Sequence, residues 1–184
     1  MIDLLPFLTS VIGLRDPHGK GHSHHVKELS SAFGRKIDLA SNQIETLAFA
    51  AEIHDIGKIA INEFIINKPG RFTEAEYLMV QHHAQLGANL IETIGLDRPI
   101  HQIVLHHHEN FDGSGYPQGL KGDRILLESR IIRITDTYDA LTSNRGYRSA
   151  YTHKRAIAIM EQDHHLFDPQ LLEVFLKMQT RKKQ

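Results

Sequence analysis

Apolar residues recur every three or four positions along almost the whole chain, and nowhere do they alternate with period two for long enough to demand a sheet. That pattern confines the fold to packed helices. Asp16 and Pro17 read as a cap followed by proline at the first helical position. They open a helix whose His18, His22, His25, Leu29 and Phe33 share one side down to Gly34. Ile44, Leu47, Ala48 and Ala51 mark a second helix, running into His54 and Asp55 with Gly57 as its stop. Thr73 and Glu76 form a capping box for a third, whose inner side carries Val80, His83, Leu90 and Ile94 before Gly95 ends it. Asp97 and Pro99 open a fourth, leading through Ile100, Ile103 and Val104 to His107 and His108. A fifth, about Leu127–Thr142, puts Ile132, Asp136 and Asp139 on one face. Two more start at Thr152 and at Asp168-Pro169, the last burying Leu171, Leu172 and Phe175. The expectation is an all-α, single-domain helical bundle.

The 184 residues suffice for one domain with a substantial core, and 41% hydrophobic with 23% charged residues suits a folded soluble chain. A net charge of −1 supplies no overall field to draw nucleic acid or membrane, so a basic site for an anion must be local. Basic residues are neither clustered nor interleaved with aromatics, and neither nucleic acid nor membrane is an expected partner. The absence of Cys excludes disulfides, thiolate catalysis and Cys-ligated zinc or iron–sulfur sites, and is compatible with the cytoplasm, the expected location. Residues 1–14 are apolar, contain Pro6, lack a basic leader and are too short to span a bilayer. They are expected to pack as a helix or connector on a domain spanning 15–184, and they offer a surface for a homodimer.

Several inner helical faces change from apolar to His or Asp near one end: His22, His54-Asp55, His83, His107-His108 and Asp136. Facing helices build metal sites in this way. One such His is more often a hydrogen-bonded core residue, but that account does not extend to so many placements. The set suffices for at least two divalent cations, and paired metals suit phosphate-ester hydrolysis. Asp55, with two oxygens, can bridge two cations while His54 binds one. A His/Asp set without thiolate fits Fe, Mn, Co, Ni or Zn. Lys58, three residues after Asp55, can aim its ammonium at a phosphoryl oxygen. Arg145 and Arg148, just beyond the Asp136 helix, can grip phosphates bidentately. Between them in sequence, Asn110–Gly122 holds Gly113, Gly115, Gly119 and Gly122 and reads as tight turns.

His54-Asp55-Ile56-Gly57-Lys58, then Lys68-Pro69-Gly70, then the run His107-His108-Glu109-Asn110-Phe111-Asp112-Gly113-Ser114-Gly115-Tyr116-Pro117 carry a likeness. Gly119-Leu120-Lys121-Gly122, Asp136-Thr137-Tyr138-Asp139-Ala140-Leu141-Thr142, Arg145, Tyr147 and Arg148 extend it. Together they resemble the HD-GYP family, the HD-type metal phosphohydrolases that cleave cyclic di-GMP. The resemblance implies metal ligation by His22, His54, Asp55, His83, His107, His108 and Asp136, with Asp55 bridging. It selects His83 over His82, because the family's ligand stands four residues before a glycine, here Gly87. It implies iron or manganese, a phosphate-binding role for Lys58, Arg145 and Arg148, and Tyr116 as a brace of the loop or a contact for guanine. Cyclic di-GMP would open to linear pGpG and then yield GMP. Where some members hold a third metal with a Glu one turn before the first His, this chain has His18, an imidazole that can also ligate. Asn62 and Leu126 stand where the family has Pro. Glu109 and Asp112 are expected to orient ligands, and His24 and His25 to lie on the surface. Alternatives are another cyclic dinucleotide such as cyclic GMP-AMP, or a non-catalytic sensor that binds the dinucleotide or docks a diguanylate cyclase through the Gly-Tyr-Pro loop. Ligating side chains at all seven principal positions favour the enzyme.

Overall fold

The computed structural model describes residues 4–15, 19–144 and 149–181. His18, Arg145 and Arg148 lie outside the described residues, as does the Asp16-Pro17 cap. Among the described residues every regular element is helical. The helices are α1 (Leu4–Arg15), α2 (Gly19–Lys36), α3 (Ser41–Ile53), the single turn α4 (Glu63–Ile66), α5 (Glu74–Gln81) and α6 (His83–Thr93). They continue with α7 (Arg98–His106), α8 (Leu127–Thr142), α9 (His153–Gln162) and α10 (Pro169–Arg181). None is long and apolar enough to cross a membrane.

The core forms where the apolar stripes meet. α2 packs on α3 and α8, α3 on α7, and α6 on α7 and on a 3-10 turn at Ile56–Ala60. Phe33, Leu47, Ile53, Ile103, Ile131, Ile132 and Phe175 are buried there, each contributing about 1.5–3 kcal/mol of transfer free energy. Leu8 and Ile12 of α1 join the same core. Capping follows the sequence: the Thr73 hydroxyl accepts from Glu76 N while Glu76 accepts from Thr73 N. Thr152 caps α9, and Asp168 accepts from Gln170 N and Leu171 N at the head of α10. Asn62, in place of a proline, caps α4 by accepting from Phe64 N.

Three expectations need correction, each for a steric reason. α2 runs past Gly34 to Lys36, and the chain turns at Asp38, whose φ is +58°. Gly34 is not a stop; Leu39 and Leu47 pack 3.2 and 3.3 Å from where its Cβ would stand. The third helix is two, broken at His82. α5 buries no residue whereas α6 buries His83, Ala84, Gly87, Ala88 and Ile91, so the break re-aims the chain onto the core and leaves Ile94 exposed. Gly57, finally, does not terminate α3, which ends at Ile53; it sits within the 3-10 turn, pressed against the backbone of α6.

Candidate metal centre

The C-terminal ends of α3 and α7 and the N-terminal end of α6 converge, and each delivers an imidazole oriented by its own backbone. His54 Nδ1 lies 2.7 Å from Ala51 O, His83 Nδ1 2.6 Å from Val80 O, and His107 Nδ1 2.6 Å from Val104 O. A carbonyl only accepts, so each Nδ1 carries the proton and, in the neutral ring, each Nε2 presents a bare lone pair. Those lone pairs face a common space. His83 Nε2 and His107 Nε2 stand 3.2 Å apart, and buried His54 Nε2 has no hydrogen-bond partner. Lone pairs so placed repel one another, and a buried acceptor left bare is costly; a cation resolves both.

The donor atoms form two groups: Asp55, His83, His107 and His108 in one, and His22, His54 and Asp136 in the other, with atoms in each group within 4.8 Å of one another. Asp55 faces both. Its Oδ1 lies 3.3 Å from His83 Nε2, while its Oδ2 lies 3.4 Å from His54 Nε2 and 3.9 Å from His22 Nε2. Lys58 Nζ donates to that same Oδ2 at 2.6 Å. His22 Nε2 is 3.1 Å from Asp136 Oδ1, and on its other side His22 Nδ1 is 2.7 Å from Asp139 Oδ2. This set of imidazoles and carboxylates fits a divalent metal site.

Protonation states agree with that chemistry. Burial holds His54 below its usual range, and burial with neighbouring imidazoles holds His107 and His108 well below it. Burial alone would raise the carboxylic acids, but Lys58 and His54 hold Asp55, and His22 holds Asp136, well below the ordinary value. His22 goes the other way. Burial disfavours its charge, yet the bonds to Asp136 and Asp139 raise it to about 9. Metal-free protein is therefore expected to be most stable near pH 6.5 and to lose stability on either side of it. Its His22 is more basic folded than unfolded, so that stabilisation is complete below 6.5 and lost as pH climbs through 9. The depressed His54, His107 and His108 act oppositely, destabilising the fold as pH drops below 6.5 because the unfolded chain takes up their protons. Urea midpoints of chelator-stripped protein at pH 5.5, 7.5 and 10 test this, and a midpoint rising monotonically with pH would contradict it.

Above the ligands opens a cavity of about 720 Å³, with His22, Asp55, His83, His108 and Asp136 in its wall beside Lys58. Tyr116 stacks over His108 with ring centroids 4.8 Å apart and lines the cavity. His82 is exposed and bonds back to Leu78 O, outside the group that includes His83. His24 and His25 have mostly exposed side chains, the latter with Nδ1 3.4 Å from Asp139 Oδ1. Glu109 and Asp112 orient the loop rather than the ligands: Glu109 accepts from Gln118 N and Leu120 N, and Asp112 from Ser114 N and Oγ. Two residues were missed. Asp139 is the carboxylate that orients His22, and its position three residues after Asp136 on the same face was the available signal. Arg133, one turn before Asp136, also lines the cavity. Asp139→Asn is expected to weaken metal binding about 10- to 100-fold, read by metal titration of stripped protein.

The chain is similar to known proteins of one family. Residues 6–171 match the HD domain family. A cyclic di-GMP phosphodiesterase of Pseudomonas aeruginosa is 36% identical over 173 residues, covering 92% of this chain and 42% of the relative. A 3′3′-cGAMP-specific phosphodiesterase of Vibrio cholerae is 34% identical over 168 residues, covering 91% of this chain and 36% of the relative. The chain thus spans about two-fifths of the length of these curated relatives. The HD domain of the L. monocytogenes phosphodiesterase PgpH, solved with cyclic di-AMP, superposes with a TM-score of 0.71 at 19% identity over 95% of this chain and 94% of that one.

Proposed function

This chain belongs to the HD domain family, within its HD-GYP group, and from that premise we propose that it is a metal-dependent phosphodiesterase opening cyclic di-GMP to linear pGpG and onward to GMP. The observation that carries this reading is Asp55, one oxygen toward each of two ligand groups, on the wall of a cavity sized for a dinucleotide. Two metals suit the two groups, with His22, His54 and Asp136 holding one, His83, His107 and His108 the other, and Asp55 shared. Iron or manganese is favoured, and His18 would serve a third. Bound there, the metals supply an acidified water near neutral pH and positive charge for the phosphoryl oxygens.

The chain's own residues do the rest. Lys58, beside Asp55 on the cavity wall, directs its ammonium to a phosphoryl oxygen. Tyr116 offers a ring face to a base, and Arg145 with Arg148 grips phosphate. Cyclic GMP-AMP is the second substrate to try, supported by the Vibrio cholerae relatives named for it. The Gly-Tyr-Pro loop is the surface we assign to a diguanylate cyclase.

Anaerobic purification with metal analysis, then incubation with each cyclic dinucleotide and chromatography of products, tests the reading. Linear dinucleotide is the expected product. Tight binding without turnover, in protein loaded with two metals, would replace the enzyme with a sensor.

A further inference from the structure

Arg133 projects from α8 into the cavity beside Asp136, on the turn before it. Its partners among the described residues are all neutral. Nε–H donates to Asn110 Oδ1 at 2.8 Å, one Nη1–H to Thr137 Oγ1, and the guanidinium lies 5.5 Å from the centroid of the Phe167 ring. Guanidinium carries five N–H donors, so these two bonds leave one on Nη1 and two on Nη2. That remaining edge is the fork that meets a phosphate with two parallel hydrogen bonds. A half-buried cation with only neutral partners favours an anion brought to it.

The side chain is also held in place. Asn110 comes from the loop that follows His108, and Thr137 from the next turn of α8; Thr137 in turn donates to Arg133 O. With both hydrogen-bonded flanks tied and the guanidinium against the Phe167 ring, little rotamer freedom remains to be lost on binding. None of the atoms it bonds is a proposed metal ligand, so it stands beside the metal centre and not in it.

A cyclic dinucleotide closes two phosphodiesters in one ring. Seating one at the metals leaves the other against the surrounding wall. We propose that Arg133 is a substrate-binding residue that holds this second, non-scissile phosphate. The proposal rests on the phosphodiesterase reading for its ligand, and it adds a demand of its own: substrates with two phosphates are preferred over substrates with one.

The test compares wild type, Arg133→Gln and Arg133→Lys, each loaded with metal and checked by thermal melt and metal content. Equilibrium binding and steady-state rates are measured with cyclic di-GMP and cyclic di-AMP, and rates with bis(p-nitrophenyl) phosphate, which has one phosphate. Arg133→Gln is expected to raise Kd and KM for both cyclic dinucleotides by about 10- to 100-fold, with kcat/KM for the single-phosphate ester falling less than about threefold. Arg133→Lys, which keeps the charge and loses the fork, should fall between. An unchanged Kd in a folded Gln variant overturns the proposal, and so does a lowered melting temperature alone, the mark of a residue that only braces the loop. A loss confined to the guanine ligand overturns it in favour of base recognition. Wild type that binds cyclic dinucleotides without cleaving them refutes the enzymatic reading instead, while the Kd comparison still decides the role of Arg133.

Discussion

Asp55→Ala is expected to lower hydrolysis of cyclic di-GMP by roughly 10³-fold or more and to leave less than half of the wild-type metal in purified protein. The reason is position. Among the described residues Asp55 places one oxygen toward His83 and the other toward His54 and His22, so removing it separates two ligand groups that otherwise share a carboxylate. The loss should be chemical rather than structural. The turn is closed by its backbone, Lys58 N donating to Asp55 O at 2.9 Å, and needs no carboxylate. Removing the carboxylate also takes away the hydrogen bond that Lys58 donates at 2.6 Å, one of the contacts that place its ammonium. Helical content by far-ultraviolet circular dichroism should match wild type while metal analysis and product chromatography do not. A folded variant with near-wild-type turnover would end the binuclear reading.

How far the sequence carried differed by element. α8 was legible to its ends at Leu127 and Thr142, because one uninterrupted stripe of Ile131, Ile132, Ile134 and Tyr138 buries on one side. The Thr73–Glu76 box was legible because capping is local chemistry: two side chains and two backbone amides within one turn. The convergence could be anticipated because His22, His54, His83 and His107 lie near the ends of apolar helical stretches and Asp136 shares a face with Ile132. What escaped was non-local. Sharing a face with Asp136 put Asp139 near the ligands, but its pairing with His22, 117 residues earlier, is set by the packing of α8 on α2. Arg133 looks from sequence like a solvated charge, and only the fold brings Asn110 to hold it toward the cavity. The break at His82 escaped for a different reason. Tyr77, Leu78 and Met79 make α5 look as apolar as α6, yet they are roughly half exposed, so composition concealed which helix belongs to the core.

Gly57→Ala is expected to destabilise the protein by about 3–5 kcal/mol, enough to unfold a domain of ordinary stability or leave it barely folded. Glycine is not needed there for an unusual backbone angle. A methyl group at Gly57 would stand 1.9 Å from His83 O and 2.4 Å from Gly87 N, so the obstruction is the backbone of α6 and no side chain can rotate away. Gly87 mirrors it, with Gly57 N 3.2 Å from its own missing Cβ. The two glycines let the 3-10 turn lie directly on the first turn of α6. Asp55 and Lys58 bracket Gly57 on that turn and His83 opens that helix, so this contact sets the 3.3 Å approach of Asp55 Oδ1 to His83 Nε2. A variant that survives must part the two elements, and it should therefore bind metal more weakly even under conditions where it is folded. Gly21→Ala serves as the control. It lies on the exposed side of α2 with no atom of the described residues packed within 4 Å of the added carbon, and is expected to be neutral or to stabilise by up to about 1 kcal/mol from helix propensity. Urea denaturation of both variants, with metal titration of whatever folds, separates the cases. A Gly57→Ala protein with an unchanged midpoint and full metal content would mean that the turn and α6 are not held at the distance on which the site depends.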